Sequence, residues 1–222
     1  MKKLFLFLAA FSFLAVSTVR AEVYGFDKAH SNVGFTVRHA LAPVNGEFKD
    51  FDGTIKFDDK KPEAAKINVT IQTASISTDN EMRDKHLQSP DFFDAEKFPT
   101  LTFKSTKVEA AGDKKYKVTG DLTIHGVTKS VVLDVDYLGK DTMMGMDIAG
   151  FTATTKIDRR DFGLVWGQDK LTGAGNLIVA NDVNINLNIS LMTKASLEKM
   201  KKMMNKKKEE PKEAPTEAPK AN

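Results

Sequence analysis

Alternation of apolar and polar residues is the feature that most limits what this chain can fold into. It runs in short segments from Val33 to Leu191, separated by turn residues, and begins with Val33, Phe35 and Val37 on one face. A period of two residues is typical of half-buried β-strands. The segments number about eight, and their spacing predicts hairpins and an antiparallel, all-β fold. A sandwich and a closed barrel both fit this pattern. Closure removes exposed strand edges, and an eight-stranded barrel encloses roughly the space of one small ligand.

A few places should interrupt the alternation. Phe48 and Phe51 have opposite parity, and a β-bulge near Asp50 would turn both side chains inward. Turn residues predict a hairpin turn at 111–113. A break in the pattern predicts a short helix at 80–89, and a tighter turn is predicted at 158–162. The helix and the tighter turn are interpreted as caps over the barrel ends.

The two ends of the chain differ in composition from the alternating middle. Two lysines precede an apolar run of about 13 residues, which is too short to span a bilayer, and small residues follow up to Ala21. We therefore predict a signal peptide at 1–21, a barrel domain at 22–193 and a basic, Lys/Glu/Pro-rich, disordered tail at 194–222. Cleavage after Ala21 implies export to the periplasm, and a retained N-terminal anchor is the alternative.

Charge argues against nucleic acid as a partner. The formal net charge is +3, and loss of Lys2, Lys3 and Arg20 with the signal peptide brings it to 0. In the tail, Leu197 and the methionines up to Met204 lie at helical spacing among lysines. A basic amphipathic helix of this kind predicts weak contact with a membrane surface, whereas a solvated helical extension needs no function.

The sequence carries no motif for catalysis. It has no cysteine, nucleophile elbow, P-loop or dinucleotide fingerprint, so we predict that the protein is not an enzyme and needs no cofactor. Its four histidines fit no compact metal-binding spacing, so no metal site is predicted, and the histidines at turns are interpreted as ties for loop backbone. The alternative is a metal-dependent or stress-related protein that uses these histidines, which are His30, His39, His86 and His125.

Phenylalanine is the more informative residue type. The chain has 15, and setting aside the four at positions 5, 7, 11 and 13 leaves 11 for the barrel. Phe92 and Phe93 lie in a connection, so they should fold over an apolar barrel end as a plug or as a ligand lid. Inward parity and these end residues predict an apolar lining of Phe35, Val37, Phe48, Phe51, Ile55, Phe57, Phe92, Phe93, Leu101, Phe103, Leu122, Ile124, Leu133, Phe162 and Trp166.

Three stretches match a known family pattern: DKAHS at 27–31, RDKHL at 83–87 with FFD at 92–94, and GDLTIHGVT at 120–128. In these stretches the chain resembles the YceI-like, polyisoprenoid-binding family, and the likeness covers about residues 22–192. The resemblance implies an extended, lipocalin-like barrel of eight antiparallel strands that is usually exported. It also implies an elongated interior that holds a polyisoprenoid, a prenyl quinone or its precursor, or a similar lipid, for transport or storage. No catalytic residues come with the resemblance, and a homodimer is a family-level expectation.

A polar head group on such a ligand would lie at the mouth of the barrel. The candidates to bind it are Arg38, His39, Arg160 and Asp161, although no match to the family assigns them. A further alternative is a protein-interaction scaffold that makes its contacts through the tail.

Overall fold

A computed structural model describes residues 21–209 of the chain. It contains eleven strand segments: β1 Glu22–Phe26, β2 Asn32–His39, β3 Ala42–Phe48, β4 Phe51–Phe57, β5 Lys66–Gln72, β6 Ile76–Ser77, β7 Thr100–Gly112, β8 Lys115–Ile124, β9 Val127–Met143, β10 Met146–Asp158 and β11 Val179–Thr193. Two α-helices accompany them, α1 Glu81–Gln88 and α2 Lys194–Glu209. No helix within the described range is long and apolar enough to cross a membrane.

The eleven segments form eight strand positions in a closed barrel. Both β1 and β2 pair with β11, β1 through Phe26 and Leu191 and β2 through Asn32 and Asn188, so they are two halves of one long strand. β3 and β4 are likewise two halves of one strand, because β3 pairs with β2 and β4 pairs with β1. β5 and β6 form a third strand of this kind, because β5 pairs with β4 and β6 pairs with β3. The ring closes because β1 pairs with both β4 and β11, and every pairing is antiparallel. The predicted eight-stranded antiparallel barrel is therefore confirmed.

The β-bulge predicted near Asp50 is wrong, although its effect on the side chains is present. Lys49 and Asp50 form a two-residue break between β3 and β4, and the side chains of Phe48 and Phe51 are both buried. The break replaces a bulge because the chain changes partners here, from β2 and β6 to β1 and β5. The break at Lys49 and Asp50 therefore does what a bulge would do: it lets Phe48 and Phe51 both point inward although they have opposite parity.

The other predicted interruptions are found close to their expected places. The β7–β8 turn consists of Asp113 and Lys114 rather than 111–113, because Gly112 still pairs with Lys115. Helix α1 lies within the predicted range, and the side chain of Asn80 caps it by accepting a hydrogen bond from the Arg83 backbone N–H at 3.0 Å. A 3₁₀ turn, Arg159–Phe162, occupies the second predicted site.

The structure also corrects the prediction for the tail. Helix α2 covers Lys194–Glu209, so the first part of the predicted disordered segment is helical. The side chain of Leu197 on α2 packs closely over Gly25 of β1, and a Cβ on that glycine would collide with it. The predicted signal peptide at 1–21 lies outside the described residues except for Ala21, and 210–222 also lies outside them.

Two glycines on the inner face of the barrel leave room for aromatic rings. The ring of Phe35 on β2 lies over Gly46 on β3, and the ring of Phe103 on β7 lies over Gly120 on β8. A Cβ on either glycine would collide with the ring. Inward-pointing rings therefore lie flat against neighbouring strands, which helps to keep the centre of the barrel open.

Candidate functional site

The barrel encloses an apolar inner cavity of about 200 Å³. Its wall draws on ten of the eleven strand segments, all except β6, and no charged side chain is among its described lining residues. Tyr116 is the one lining residue with a polar side-chain atom, and burial raises the pKa of its phenol. The phenol is therefore neutral at physiological pH. Chemically, this cavity offers dispersion contacts and almost no hydrogen bonds.

A second, larger cavity of about 530 Å³ lies at one end of the barrel and forms its mouth. It is bordered by the β2–β3 hairpin, by α1 and the segment after it, and by the segment between the 3₁₀ turn and β11. Unlike the inner cavity, it has polar lining residues: His39, Thr78, Asn80, Arg83, His86 and Arg159. The polar groups of the site are therefore concentrated at one end.

The two cavities share four lining residues, Phe35, Phe48, Leu101 and Ile185. The rings of Phe35 and Phe48 lie 5.9 Å apart, and the ring of Phe93 lies edge-on to Phe48 at 5.7 Å. These side chains form an aromatic neck between the mouth and the interior. Along β11 the lining runs from Val179 to Leu191, about 40 Å at ~3.3 Å per residue, or about 30 Å along the axis of a tilted barrel.

Most of the predicted apolar lining residues do face these cavities, and three do not. Phe51, Ile124 and Phe162 are buried in the core outside both cavities. Phe51 packs edge-on against Phe26 at 5.2 Å, Ile124 is the last residue of β8, and Phe162 lies inside the 3₁₀ turn. The twelve that line a cavity are Phe35, Val37, Phe48, Ile55, Phe57, Phe92, Phe93, Leu101, Phe103, Leu122, Leu133 and Trp166.

Of the four candidates for a polar head group, the structure places only His39 at the mouth. Arg38 alternates with the inward-facing Val37 and His39, so it lies with Arg160 in a groove on the outer surface. The guanidinium of Arg160 is also held by Asp158, with Nη2 at 2.5 Å from the carboxylate, and Asp161 is exposed outside both cavities. Arg38, Arg160 and Asp161 are therefore corrected to outer-surface positions.

The polar mouth residues that sequence reasoning missed include a network around the start of α1. Arg83 donates from Nε to the Thr78 hydroxyl at 2.7 Å and from Nη2 to the Thr78 carbonyl at 2.8 Å. Asp84 accepts from the Thr78 backbone N–H at 2.8 Å. The signal that could have found them is the RDKHL stretch itself, because it lies at the predicted helix and belongs to the family pattern.

Arg159 is a second missed residue and the only buried arginine among the described residues. Its guanidinium donates to the carbonyls of Ala180 at 3.0 Å, Val179 at 3.4 Å and Leu164, and none of the described carboxylates forms an ion pair with it. Burial, more than any neighbouring charge, lowers the pKa of the Arg159 guanidinium below its ordinary value. Arg159 therefore ties the segment after β10 to the start of β11 at the mouth.

Aromatic contacts close one side of the mouth. The imidazole of His86 meets the rings of Phe92 and Trp166 edge-on, each at 5.0 Å, and its Nε2 lies 2.9 Å from an Asp91 carboxylate oxygen. The amine of Lys170 lies 4.6 Å above the Trp166 ring, a cation–π contact. Trp166 is thus held against the segment that follows α1.

The four histidines do not form one cluster. His39 and His86 line the mouth, His30 contacts Asp27 through Nδ1 at 2.7 Å, and the His125 ring packs 4.5 Å from Phe98. At positions 21–209 no group of three or more His, Cys, Asp or Glu side chains could hold a metal ion. The two histidines at turns, His30 and His125, contact side chains. Their predicted role of holding loop backbone is therefore corrected.

The sequence profile of the YceI-like domain matches residues 24–191, which span the barrel from β1 to β11. The chain belongs to the YceI-like family. Protein YceI of Escherichia coli O157:H7 is 46% identical over 160 residues, covering 70% of this chain and 83% of that protein.

Solved structures agree with this membership. BcnA of Burkholderia cenocepacia superposes with a TM-score of 0.67 at 31% identity, covering 74% of this chain and 98% of BcnA. A polyisoprenoid binding domain from Saccharophagus degradans superposes with a TM-score of 0.60 at 15% identity, covering 77% of this chain and 98% of that domain. At that identity the second likeness concerns the fold alone. The protein is therefore a YceI-like barrel.

The first YceI-like stretch holds the corner between β1 and β2. Asp27 is buried, its backbone N–H donates to the Ser190 carbonyl at 2.9 Å, and its carboxylate contacts His30. The Ser31 hydroxyl donates to the same carbonyl at 3.0 Å and accepts from the Ser190 N–H. These bonds fasten the corner to β11, so the stretch shapes the barrel wall rather than contacting the cavities.

Proposed function

We propose that this protein is a carrier or store that holds one long-chain apolar or amphiphilic lipid, of the polyisoprenoid or prenyl-quinone class, inside its barrel. The observation that carries the proposal is the pair of adjoining cavities, with an interior whose one polar side chain is Tyr116 and with all charged lining groups at the mouth. Taken together, their volumes of about 200 Å³ and 530 Å³ fall within the range of about 300–1,000 Å³ that is common for ligand sites. A long apolar chain with one polar end matches this distribution of groups.

Energetics favour a ligand of several isoprene units. At about 0.8 kcal/mol for each buried CH₂, one five-carbon unit contributes roughly 3–4 kcal/mol. Association costs about 4–15 kcal/mol in lost freedom of motion, so a few buried units suffice for binding without any hydrogen bond. A polar group forced into the interior would lose its water and find only the Tyr116 hydroxyl, at a cost of about 1–3 kcal/mol. Selection would therefore be by length and shape.

The head of the ligand belongs at the mouth under this proposal. His39, Asn80 and Arg83 line it and carry groups that donate or accept hydrogen bonds. We also propose that the protein acts without chemistry on its ligand, and that it is exported by its N-terminal segment and works in the periplasm. The solved polyisoprenoid binding domain that shares the fold supports the same class of ligand.

The test is native mass spectrometry of the protein purified from an exporting host, followed by organic extraction and identification of the released molecule. We expect a single long-chain lipid at close to one per chain. An empty barrel that also fails to take up added prenyl quinone or prenyl alcohol would overturn the proposal. Uptake of short polar molecules with equal affinity would contradict the argument from the apolar lining.

A further inference from the structure

Helix α2 lies beyond the residues that match the YceI-like domain, and part of it packs against none of the residues between 21 and 209. Near its start it packs on β1, β10 and β11, where Ser196 is buried and Leu197 and Met200 are half-buried. At 100° per residue, Met203 and Met204 flank the continuation of this apolar stripe. Both are nevertheless exposed, by 46% and 56%. The stripe therefore continues past the edge of the barrel.

The β9–β10 hairpin places two more exposed methionines beside this helix. Met143 and Met144 are 48% and 72% exposed, and Lys199 of α2 donates from Nζ to the carbonyls of Met144 at 3.2 Å and Gly145 at 3.1 Å. The helix and the hairpin tip are thus joined. We call the resulting area the methionine–lysine surface, formed by Met143, Met144, Lys199, Lys202, Met203, Met204 and Lys206.

The charge on this part of α2 is strongly positive. Residues 194–206 contain five lysines and one acidic residue, Glu198, which pairs with Lys201 at 3.1 Å. Three further lysines, Lys199, Lys202 and Lys206, line an open groove along one side of the helix. Long lysine side chains can place their stems along apolar surface and their ammonium groups in a polar headgroup layer.

We propose that the methionine–lysine surface docks the barrel on an anionic lipid bilayer. Methionines on flexible, unbranched side chains suit the boundary between acyl chains and headgroups, and the flanking lysines suit anionic headgroups. A second copy of this chain is disfavoured as the partner, because it would bring the same lysines together. This inference goes beyond the lipid-carrier function and does not depend on it.

The docking surface and the cavity mouth lie at opposite ends of the barrel. β10 begins at Met146 beside the docking surface and ends at Asp158 beside the mouth, about 40 Å away along the strand at ~3.3 Å per residue. Docking through α2 therefore leaves the mouth free, and α2 acts as a tether. Changes to the docking surface should alter membrane binding without altering the ligand content of the barrel.

The experiment is flotation of the full chain with vesicles of phosphatidylcholine alone or with one third phosphatidylglycerol. We expect binding to the anionic vesicles only, weakened by high salt. Each lysine near an anionic surface contributes about fivefold, so Lys202→Gln with Lys206→Gln should weaken binding about 25-fold. Met203→Ser with Met204→Ser should also weaken it. The matched control removes two exposed lysines from the barrel wall, Lys104→Gln with Lys129→Gln, and should bind like the parent.

The outcomes separate this inference from the carrier function. Organic extraction should recover the same lipid content from all of these variants. Absence of binding to anionic vesicles, or equal losses in the test and control pairs, would overturn the docking proposal and leave the carrier proposal intact. A dimer in sedimentation analysis that dissociates on Met203→Ser with Met204→Ser would overturn it in favour of self-association, and salt-sensitive binding to an acidic protein alone would favour a protein partner.

Discussion

The indole of Trp166 lies against the ring of Phe92, with centroids 5.2 Å apart and planes inclined by 38°. The two residues come from different segments, Trp166 from the connection between the 3₁₀ turn and β11 and Phe92 from the connection after α1. Their contact spans one side of the cavity mouth, and both residues line it. A ligand that enters or leaves through the mouth passes beside this pair.

We expect Trp166→Ala to speed ligand release about tenfold with little loss of folding stability. Aromatic pairs contribute about 0.5–1.5 kcal/mol beyond their buried area, and this contact closes the mouth rather than the core. The measurement is stopped-flow displacement of a bound fluorescent prenyl probe. Leu171→Ala is the control, because Leu171 lies in the same connection with 58% of its surface exposed. Equal release rates for the two variants would contradict a gating role.

Filling the interior should block the ligand. Ala153 on β10 is buried and lines the inner cavity, whereas the next residue, Thr154, is exposed. Ala153→Phe should abolish binding of a long prenyl chain and cost about 1–3 kcal/mol through overpacking. Thr154→Phe adds the same ring on the outer face and should leave binding unchanged. Isothermal titration with a prenyl alcohol measures both, and retained binding in Ala153→Phe would place the ligand elsewhere.

Period-two alternation predicted most of the barrel wall because a strand side chain has only two directions. Val37 and His39 share the inward parity and line the mouth, and the same rule places Arg38 outside. Applied consistently to β2, parity would have excluded Arg38 as a head-group candidate. Parity failed at Phe51, because the break before β4 lets a buried residue pack beside the cavity rather than into it.

The mouth could not be predicted by the same reasoning. Apart from His39 on β2, its polar residues come from α1, from the loop before it and from a 3₁₀ turn, where no short period sets side-chain direction. Arg159 and Arg160 are adjacent arginines, yet one is buried at the mouth and the other is exposed in an ion pair with Asp158. Only the three-dimensional path of the turn distinguishes them.

We expect Arg159→Ala to destabilise the protein by about 2–4 kcal/mol. The change removes hydrogen bonds from a charged group to three backbone carbonyls and leaves those carbonyls buried. Urea unfolding followed by fluorescence is the measurement, and Trp166 is the only tryptophan in the chain. Arg160→Ala, one residue away and exposed, should have a much smaller effect. A loss below about 1 kcal/mol for Arg159→Ala would show that water replaces the guanidinium.

Gly46→Ala should disturb the aromatic neck. A Cβ at position 46 would collide with the ring of Phe35, which lines both cavities, so the ring must move into the open space. We expect weaker binding of long prenyl chains and a stability loss of about 1–3 kcal/mol. The double variant Gly46→Ala with Phe35→Leu relieves the collision and should recover part of the binding. Unchanged affinity in the single variant would show that the ligand does not pass the neck.

The ion pair beside the mouth predicts a pH dependence of stability. Hydrogen bonds from Arg160 hold the pKa of Asp158 below its ordinary value. Because the folded-state pKa is depressed, the stabilisation is complete above the unfolded value of about 3.9 and is lost as the pH falls through the lower folded value. Asp158→Asn keeps an acceptor for the Arg160 backbone N–H but removes the charge.

Asp158→Asn should therefore be less stable than the parent near neutral pH, by less than about 1 kcal/mol because solvent screens the pair. The two stabilities should converge below about pH 3, and urea unfolding from about pH 7 to about pH 2.5 measures the gap. In an Arg160→Gln background the gap should be nearly absent at every pH, since the donor side chain has lost its charge. A gap that persisted unchanged into acid would mean that the amide alters packing, and that the ion pair contributes nothing.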